Sequence, residues 1–164
     1  MKKIFSMIFL LFCGCSDEGL ELKVVSAPEF LTNISEIRTS KIILVNIWST
    51  WCEPCKEEFP YVAGLEKKYD AKDLDVIFFS VDWDAQEKEA KTFLKNHQVI
   101  GQHYRKKEGD DQLFINTFST EWSGAIPFTA LYDQNVVLVA QWEGKRSESY
   151  FYAKIDSLLT LQGS

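Results

Sequence analysis

Glycine and proline are scarce, 8 and 4 in 164 residues, which excludes collagen-like and low-complexity chains. Histidine is rarer still, with only His97 and His103. Lys and Arg number 18 against 24 Asp and Glu, so the basic footprint of a nucleic-acid binder is missing. No repeat of ~20–50 residues is visible, which argues against a solenoid. What is present is 46% hydrophobic and 14% aromatic. That is too apolar for a disordered chain, and the length suits a single domain.

The amino terminus reads as a targeting segment. Met1-Lys2-Lys3 precedes a short apolar run, Ile4 to Phe12, then Cys13-Gly14-Cys15 and polar Ser16-Asp17-Glu18. Two cations before such a run form a secretory signal pattern. The run falls far short of the ~20 apolar residues that span a bilayer as a helix. A small residue directly before a Cys here resembles a bacterial lipobox, whose Cys is lipidated and starts the mature chain. Gly14 selects Cys15, because Cys13 follows the bulky Phe12. Phe12 itself departs from the pattern, which usually has Leu. Ordinary secretion, or an uncleaved signal anchor, is the alternative. Residues 1–14 are therefore read as a lipoprotein-type signal peptide, 15–25 as a tether and 26–164 as the folded domain. The expected location is extracytoplasmic, periplasm or cell envelope, with a lipid on Cys15 as the membrane anchor. Such a compartment permits disulfides.

The periodicities within the domain predict an α/β fold. Ser26-Ala27-Pro28-Glu29 is a capping box opening a helix with Phe30, Ile34 and Ile37 on one face. The apolar, β-branched run Lys41 to Trp48 suits a strand buried on both faces. A helix from about Glu53 to Tyr69 follows, with Phe59, Val62 and Leu65 inward and Pro60 inside it. Leu74 to Val81 is a second buried strand, and Asp84 to about Asn96 a surface helix. Residues 97–109 carry no decisive pattern. Gln112 to Phe118 reads as a short helix. Phe128–Tyr132 and Val136–Trp142 read as a hairpin turning at Asp133-Gln134-Asn135. Ser147 to about Leu161 closes the chain as a helix. The expected architecture is a mixed central β-sheet flanked by helices on both faces.

Chemistry concentrates at Cys52-Glu53-Pro54-Cys55, between a buried strand and a helix. Two cysteines three apart in a first helical turn can form a reducible disulfide. The helix terminus supplies unpaired N–H groups and partial positive charge, and both stabilise a thiolate on Cys52. Pro54 is tolerated there because it removes no needed donor. Glu53 opposes ionisation. A zinc site is the structural alternative, but Cys55 and His97 are too far apart for a finger. A purely structural disulfide is another.

Trp48-Ser49-Thr50-Trp51-Cys52-Glu53-Pro54-Cys55, with Gly124-Ala125-Ile126-Pro127-Phe128-Thr129, resembles the thioredoxin superfamily. The segment through Lys56-Glu57-Glu58-Phe59-Pro60 is similar to the TlpA/ResA branch of extracytoplasmic thiol-disulfide oxidoreductases. The resemblance implies a thioredoxin-like fold with Cys52 and Cys55 catalytic. It implies a cis Ile126–Pro127 bond facing the sulfurs, with Ile126 backbone groups pairing to an extended substrate. It also implies that Glu58 is linked to thiol proton chemistry, the alternative being a solvated helix glutamate. Trp51, Glu53, Pro54, Ile126 and Pro127 are the expected substrate-binding residues. Trp48 is assigned to the core; Asp82-Trp83-Asp84 and Trp122 receive no chemistry.

The expected activity is thiol-disulfide exchange, with no cofactor or metal beyond the Cys52–Cys55 disulfide. Expected partners are protein thiol or disulfide substrates and a membrane thiol electron donor, with the chain a monomer. The crowding of Glu53, Glu57 and Glu58 favours a reductant, and the resemblance points toward apocytochrome c cysteines. The rival function is a copper-handling thiol module that borrows His97 or His103. A peroxidase lacks its cysteine segment here, and a non-catalytic binding domain is the remaining class.

Overall fold

The computed structural model describes residues 20–36, 41–69, 71 and 73–162. The signal segment, Cys13, Cys15 and Ile37 lie outside them. One six-stranded sheet runs through the domain, in the order β1-β4-β3-β2-β5-β6. Strand β2 (Ile42–Trp48) is central, parallel to β3 (Leu74–Ser80) and antiparallel to β5 (Phe128–Tyr132). Beyond β3 lie β4 (Gln102–Lys106) and β1 (Glu21–Val25), both parallel. Beyond β5 lies antiparallel β6 (Leu138–Glu143).

All seven residues of β2 are buried, and their alternation divides the core in two. Ile42, Leu44 and Trp48 join a cluster with Phe59, Val62 and Leu65 of α2 (Glu53–Lys68). Leu94 of α3 (Glu87–Asn96) and Phe151 and Ile155 of α5 (Glu148–Gln162) complete that face. Ile43, Val45 and Ile47 face the other cluster, with Phe30 of α1 (Ala27–Glu36) and Phe114 and Phe118 of α4 (Asp111–Phe118). Helices thus cover both faces, as the periodicities require. Among the described residues no helix is long and apolar enough to cross a membrane.

The sheet extends into two regions that the sequence reads otherwise. Glu21–Val25, assigned to the tether, pairs along its length with β4. The undecided stretch 97–109 supplies β4, whose His103, Tyr104 and Arg105 are all buried. Polar residues can occupy this strand because each meets a partner. His103 Nδ1 accepts the Phe78 N–H at 3.1 Å, and its Nε2 lies 2.9 Å from the Ile100 carbonyl. These partners select a neutral imidazole, and burial lowers its pKa in the same direction. Arg105 pairs with Asp84 at 2.5 Å and Glu87 at 3.5 Å.

Two boundaries also move. A 3-10 turn, Asp84–Gln86, precedes α3. Val136 belongs to the hairpin connection rather than to the strand, with φ 59°, an unusual setting for a β-branched residue. The Asp133 carboxylate stabilises that connection by accepting from Asn135 N at 2.8 Å and Val137 N at 2.9 Å.

Phe59 is fully buried and stacks on Phe78 at 4.2 Å, with Trp48 and Phe93 edge-on near 5 Å. Phe59→Ala should lower unfolding free energy by about 3–5 kcal/mol in urea denaturation. A loss under about 1 kcal/mol would show that this cluster does not anchor α2.

Candidate active site

Cys52 and Cys55 form a disulfide with Cα atoms 5.2 Å apart. Cys52 is the cap residue between β2 and α2, in extended backbone conformation. Its Sγ accepts the Cys55 N–H at 3.2 Å, and its carbonyl accepts Lys56 N at 3.1 Å. The sulfur fills the place of a Ser or Asp oxygen at an ordinary cap. A backbone N–H and a helix terminus directed at a sulfur are features that generally favour thiolate chemistry. Pro54 lies in the first turn, where a missing N–H removes no bond. Cys52 is 6% exposed and Cys55 2%, so Cys52 is the more accessible sulfur-bearing residue.

The Ile126–Pro127 bond is cis, in agreement with the resemblance. The Ile126 carbonyl oxygen lies 3.7 Å from Cys52 Sγ, a contact without a donated hydrogen while the disulfide persists. Gly124 has φ +92°, and a Cβ there would approach Ile115 Cδ1 to 2.7 Å. Glycine is therefore required where the chain enters this segment.

Glu58 is fully buried, which removes the solvated alternative. Its Oε1 accepts Asn46 Nδ2 at 3.1 Å, and its Oε2 accepts the Arg146 backbone N–H at 2.6 Å. Asn46 Nδ2 also donates to Thr129 Oγ1 at 3.1 Å. Asn46 and Thr129 are opposite one another in the β2–β5 register. Burial outweighs these bonds and the nearby Arg146 and Lys145 charges, and pushes the Glu58 carboxyl up to about 7. Glu58 follows Cys55 by one helical turn, on the same face of α2.

The expected crowding of negative charge is largely offset. Glu53 pairs with Lys56 at 2.5 Å and Glu57 pairs with Lys145. Glu58 becomes fully charged only above neutral pH.

Sequence reasoning missed Asp82. This buried residue accepts Thr50 N at 3.0 Å and Thr50 Oγ1 at 2.6 Å, and Oδ2 accepts Ser80 Oγ at 2.7 Å. It therefore holds the turn that leads into Cys52. A signal was present: Asp82 follows the carboxyl end of a parallel strand, where α/β sheets carry their sites. Beside it Trp83 stacks on Trp51, ring centroids 5.7 Å apart, with the two residues 61% and 50% exposed. Trp48 is wholly buried and Trp122 nearly so, in keeping with their packing assignments.

His97 and His103 are both engaged away from the sulfurs. His97 Nδ1 lies 2.9 Å from the Phe93 carbonyl, with its ring against Phe93 and Phe59. His103 bonds within the sheet as described above. The copper-handling alternative thereby loses both of its proposed third ligands.

Residues 20–152 match the Redoxin family model, and the chain belongs to that family. It is 29% identical over 131 residues to thiol-disulfide oxidoreductase ResA of Bacillus cereus, covering 74% of this chain and 70% of that protein. It is 30% identical over 126 residues to thiol:disulfide interchange protein HelX of Rhodobacter capsulatus, covering 76% of this chain and 65% of that protein. The crystal structure of a thiol:disulfide interchange protein of the thioredoxin family, from Chlorobium tepidum TLS, matches with TM-score 0.61 at 23% identity. That match covers 76% of this chain and 84% of the other, and shows a thioredoxin-like fold. With its paired cysteines in that fold, the chain is a thiol-disulfide oxidoreductase.

Glu58 has a consequence for stability. Between its ordinary value near 4.5 and its folded value of about 7, the native state holds a proton that the unfolded chain has released. Stability from this group is full below pH 4.5, falls as pH rises to about 7, and levels off above. With the disulfide intact, the wild type should lose on the order of 3 kcal/mol relative to Glu58→Gln between about pH 5 and 8. Parallel pH–stability curves for the two proteins would remove the buried proton.

Proposed function

We propose that the protein reduces disulfides of extracytoplasmic proteins through the Cys52–Cys55 dithiol. The observation that carries this reading is the cap geometry: Cys52 Sγ accepts the Cys55 N–H at a helix terminus, beside the Ile126–Pro127 segment. Cys52 thiolate attacks one sulfur of a client disulfide. A Cys52–client disulfide forms, and the other client sulfur leaves as a thiolate that takes a proton. Cys55 then attacks Cys52 Sγ, breaks the mixed disulfide and releases the second client thiol. One client disulfide becomes two thiols, and two protein thiols become the disulfide. Two electrons and two protons pass to the client.

Glu58 is the group suited to accept the Cys55 proton at the second step, because its affinity for protons lies near neutral pH. Trp51, Glu53 and Pro54 present the surface that meets the client, and Ile126 backbone groups pair with its extended chain. Pro127 places no N–H beside the sulfurs. A membrane dithiol donor returns the protein to its reduced state. Lipid on Cys15 tethers the monomer at the membrane of the periplasm or cell envelope. Resemblance to the ResA-like branch supports the reducing direction and makes apocytochrome c cysteines the favoured clients.

Insulin-disulfide reduction tests the activity. Cys52→Ala should abolish turnover, and Cys55→Ser should accumulate a mixed disulfide that excess thiol releases. Turnover by Cys52→Ala at the wild-type rate would sink the mechanism. A midpoint potential below about −200 mV supports reduction, whereas one near about −120 mV reverses the direction.

A further inference from the structure

A groove of about 280 Å³ opens beside the disulfide. Trp51 and Ile126 belong to its lining and are also immediate neighbours of Cys52, by sequence and by contact. The groove is thus continuous with the surface that a client must approach. Trp83 extends the Trp51 ring into a stacked, exposed aromatic wall, and Phe114 of α4 and Trp122 add two further aromatic residues to the lining. Its lining charges are one-sided: Asp82, Glu108 and Asp111 against Lys106 alone. Lys106 and Asp111 pair with each other, with the Lys106 Nζ 2.6 Å from the carboxylate and 5.6 Å from the centre of the Phe114 ring, so the lining carboxylates left without a cation are Asp82 and Glu108. Asp82 is held by the neutral donors of Thr50 and Ser80. Glu108 is exposed, and its carboxylate has no ion-pair partner among the described residues.

We propose that this groove binds a lysine or arginine side chain lying within a few residues of the client's disulfide cysteine. The inference deepens the disulfide-reductase reading and rests on it. Such a side chain combines an apolar stem, suited to the aromatic and aliphatic lining, with a cationic head. Indole faces attract that head, and the carboxylate excess complements it. A purely apolar client residue would strip water from carboxylates and give nothing in return. An acidic residue would meet like charge. The pair Lys106–Asp111 already shows, inside the same groove, a cation held between a carboxylate and an aromatic ring.

The test uses the reduced full-length protein and short peptides with one cysteine, each linked through a disulfide to a chromophoric small thiol. The peptides differ only in a Lys, Arg, Gln or Glu placed in turn at positions flanking the cysteine. At low salt, Lys and Arg peptides should react about 5- to 10-fold faster than the Gln peptide at the best position, with Glu slowest. The preference should shrink as salt rises. Glu108→Lys with Asp111→Asn should abolish or invert the ratio of Lys to Gln rates. Should that pair of changes impair folding, Glu108→Gln alone, at an exposed loop position, should still lower the ratio by half or more. Equal rates for all peptides, or a ratio that survives every variant, overturn the groove assignment and leave the reductase reading standing. Failure to react with any peptide, while the small-molecule disulfide itself is reduced, overturns the protein-client reading instead and the groove assignment with it.

Discussion

Strand β2 is hydrogen-bonded on both sides, in parallel to β3 and in antiparallel to β5, and the site depends on that double pairing. A strand locked in two registers cannot slip by one residue without turning every side chain to the wrong face. Its end at Trp48 therefore delivers Cys52 to a set position. The parallel neighbour ends level with it, Ser80 opposite Trp48, and two residues further on Asp82 reaches back to Thr50. The antiparallel neighbour begins level with it, Phe128 opposite Ile47, and so Pro127 and Ile126 arrive beside the sulfurs. One strand thus brings together groups as far apart in the chain as Cys52 and Ile126.

The same register builds the buried acid. Asn46 points to the α2 side of the sheet, as do Leu44 and Trp48, and stands opposite Thr129. Its amide bridges Thr129 and Glu58. The Arg146 backbone N–H, from the segment before α5, closes the other side of the carboxylate. Glu58 is therefore fixed by strand, helix and loop at once. Its proton affinity is high because burial disfavours the charge more than two hydrogen bonds favour it. A redox centre that must exchange protons with each electron pair has an acid near neutrality one turn away.

Charge is distributed unevenly around this centre. On the helix side, Glu53 and Glu57 meet Lys56 and Lys145, so the rim of the motif is close to balanced. On the opposite side, the groove under Trp51 and Trp83 keeps an excess of carboxylates.

Most elements could be read from residue patterns, because β2, β3 and α2 carry their own periodicity and the Cys52-Glu53-Pro54-Cys55 segment carries its own cap chemistry. The nearly unbroken apolar, β-branched run from Lys41 to Trp48 suits a strand buried on both faces, and the motif after it suits a helix start at Cys52. Strand β4 was hidden because His103 and Arg105 look like surface residues until Phe78, Ile100, Asp84 and Glu87 are placed beside them. Strand β1 was hidden because five residues of mixed character acquire a pattern only from the β4 partner. The burial of Glu58, the grip of Asp82 on Thr50 and the stacking of Trp51 on Trp83 were likewise decided by tertiary structure. A side chain's own sequence neighbours set its backbone preferences, but its desolvation and its hydrogen-bond partners come from segments that only folding brings within reach.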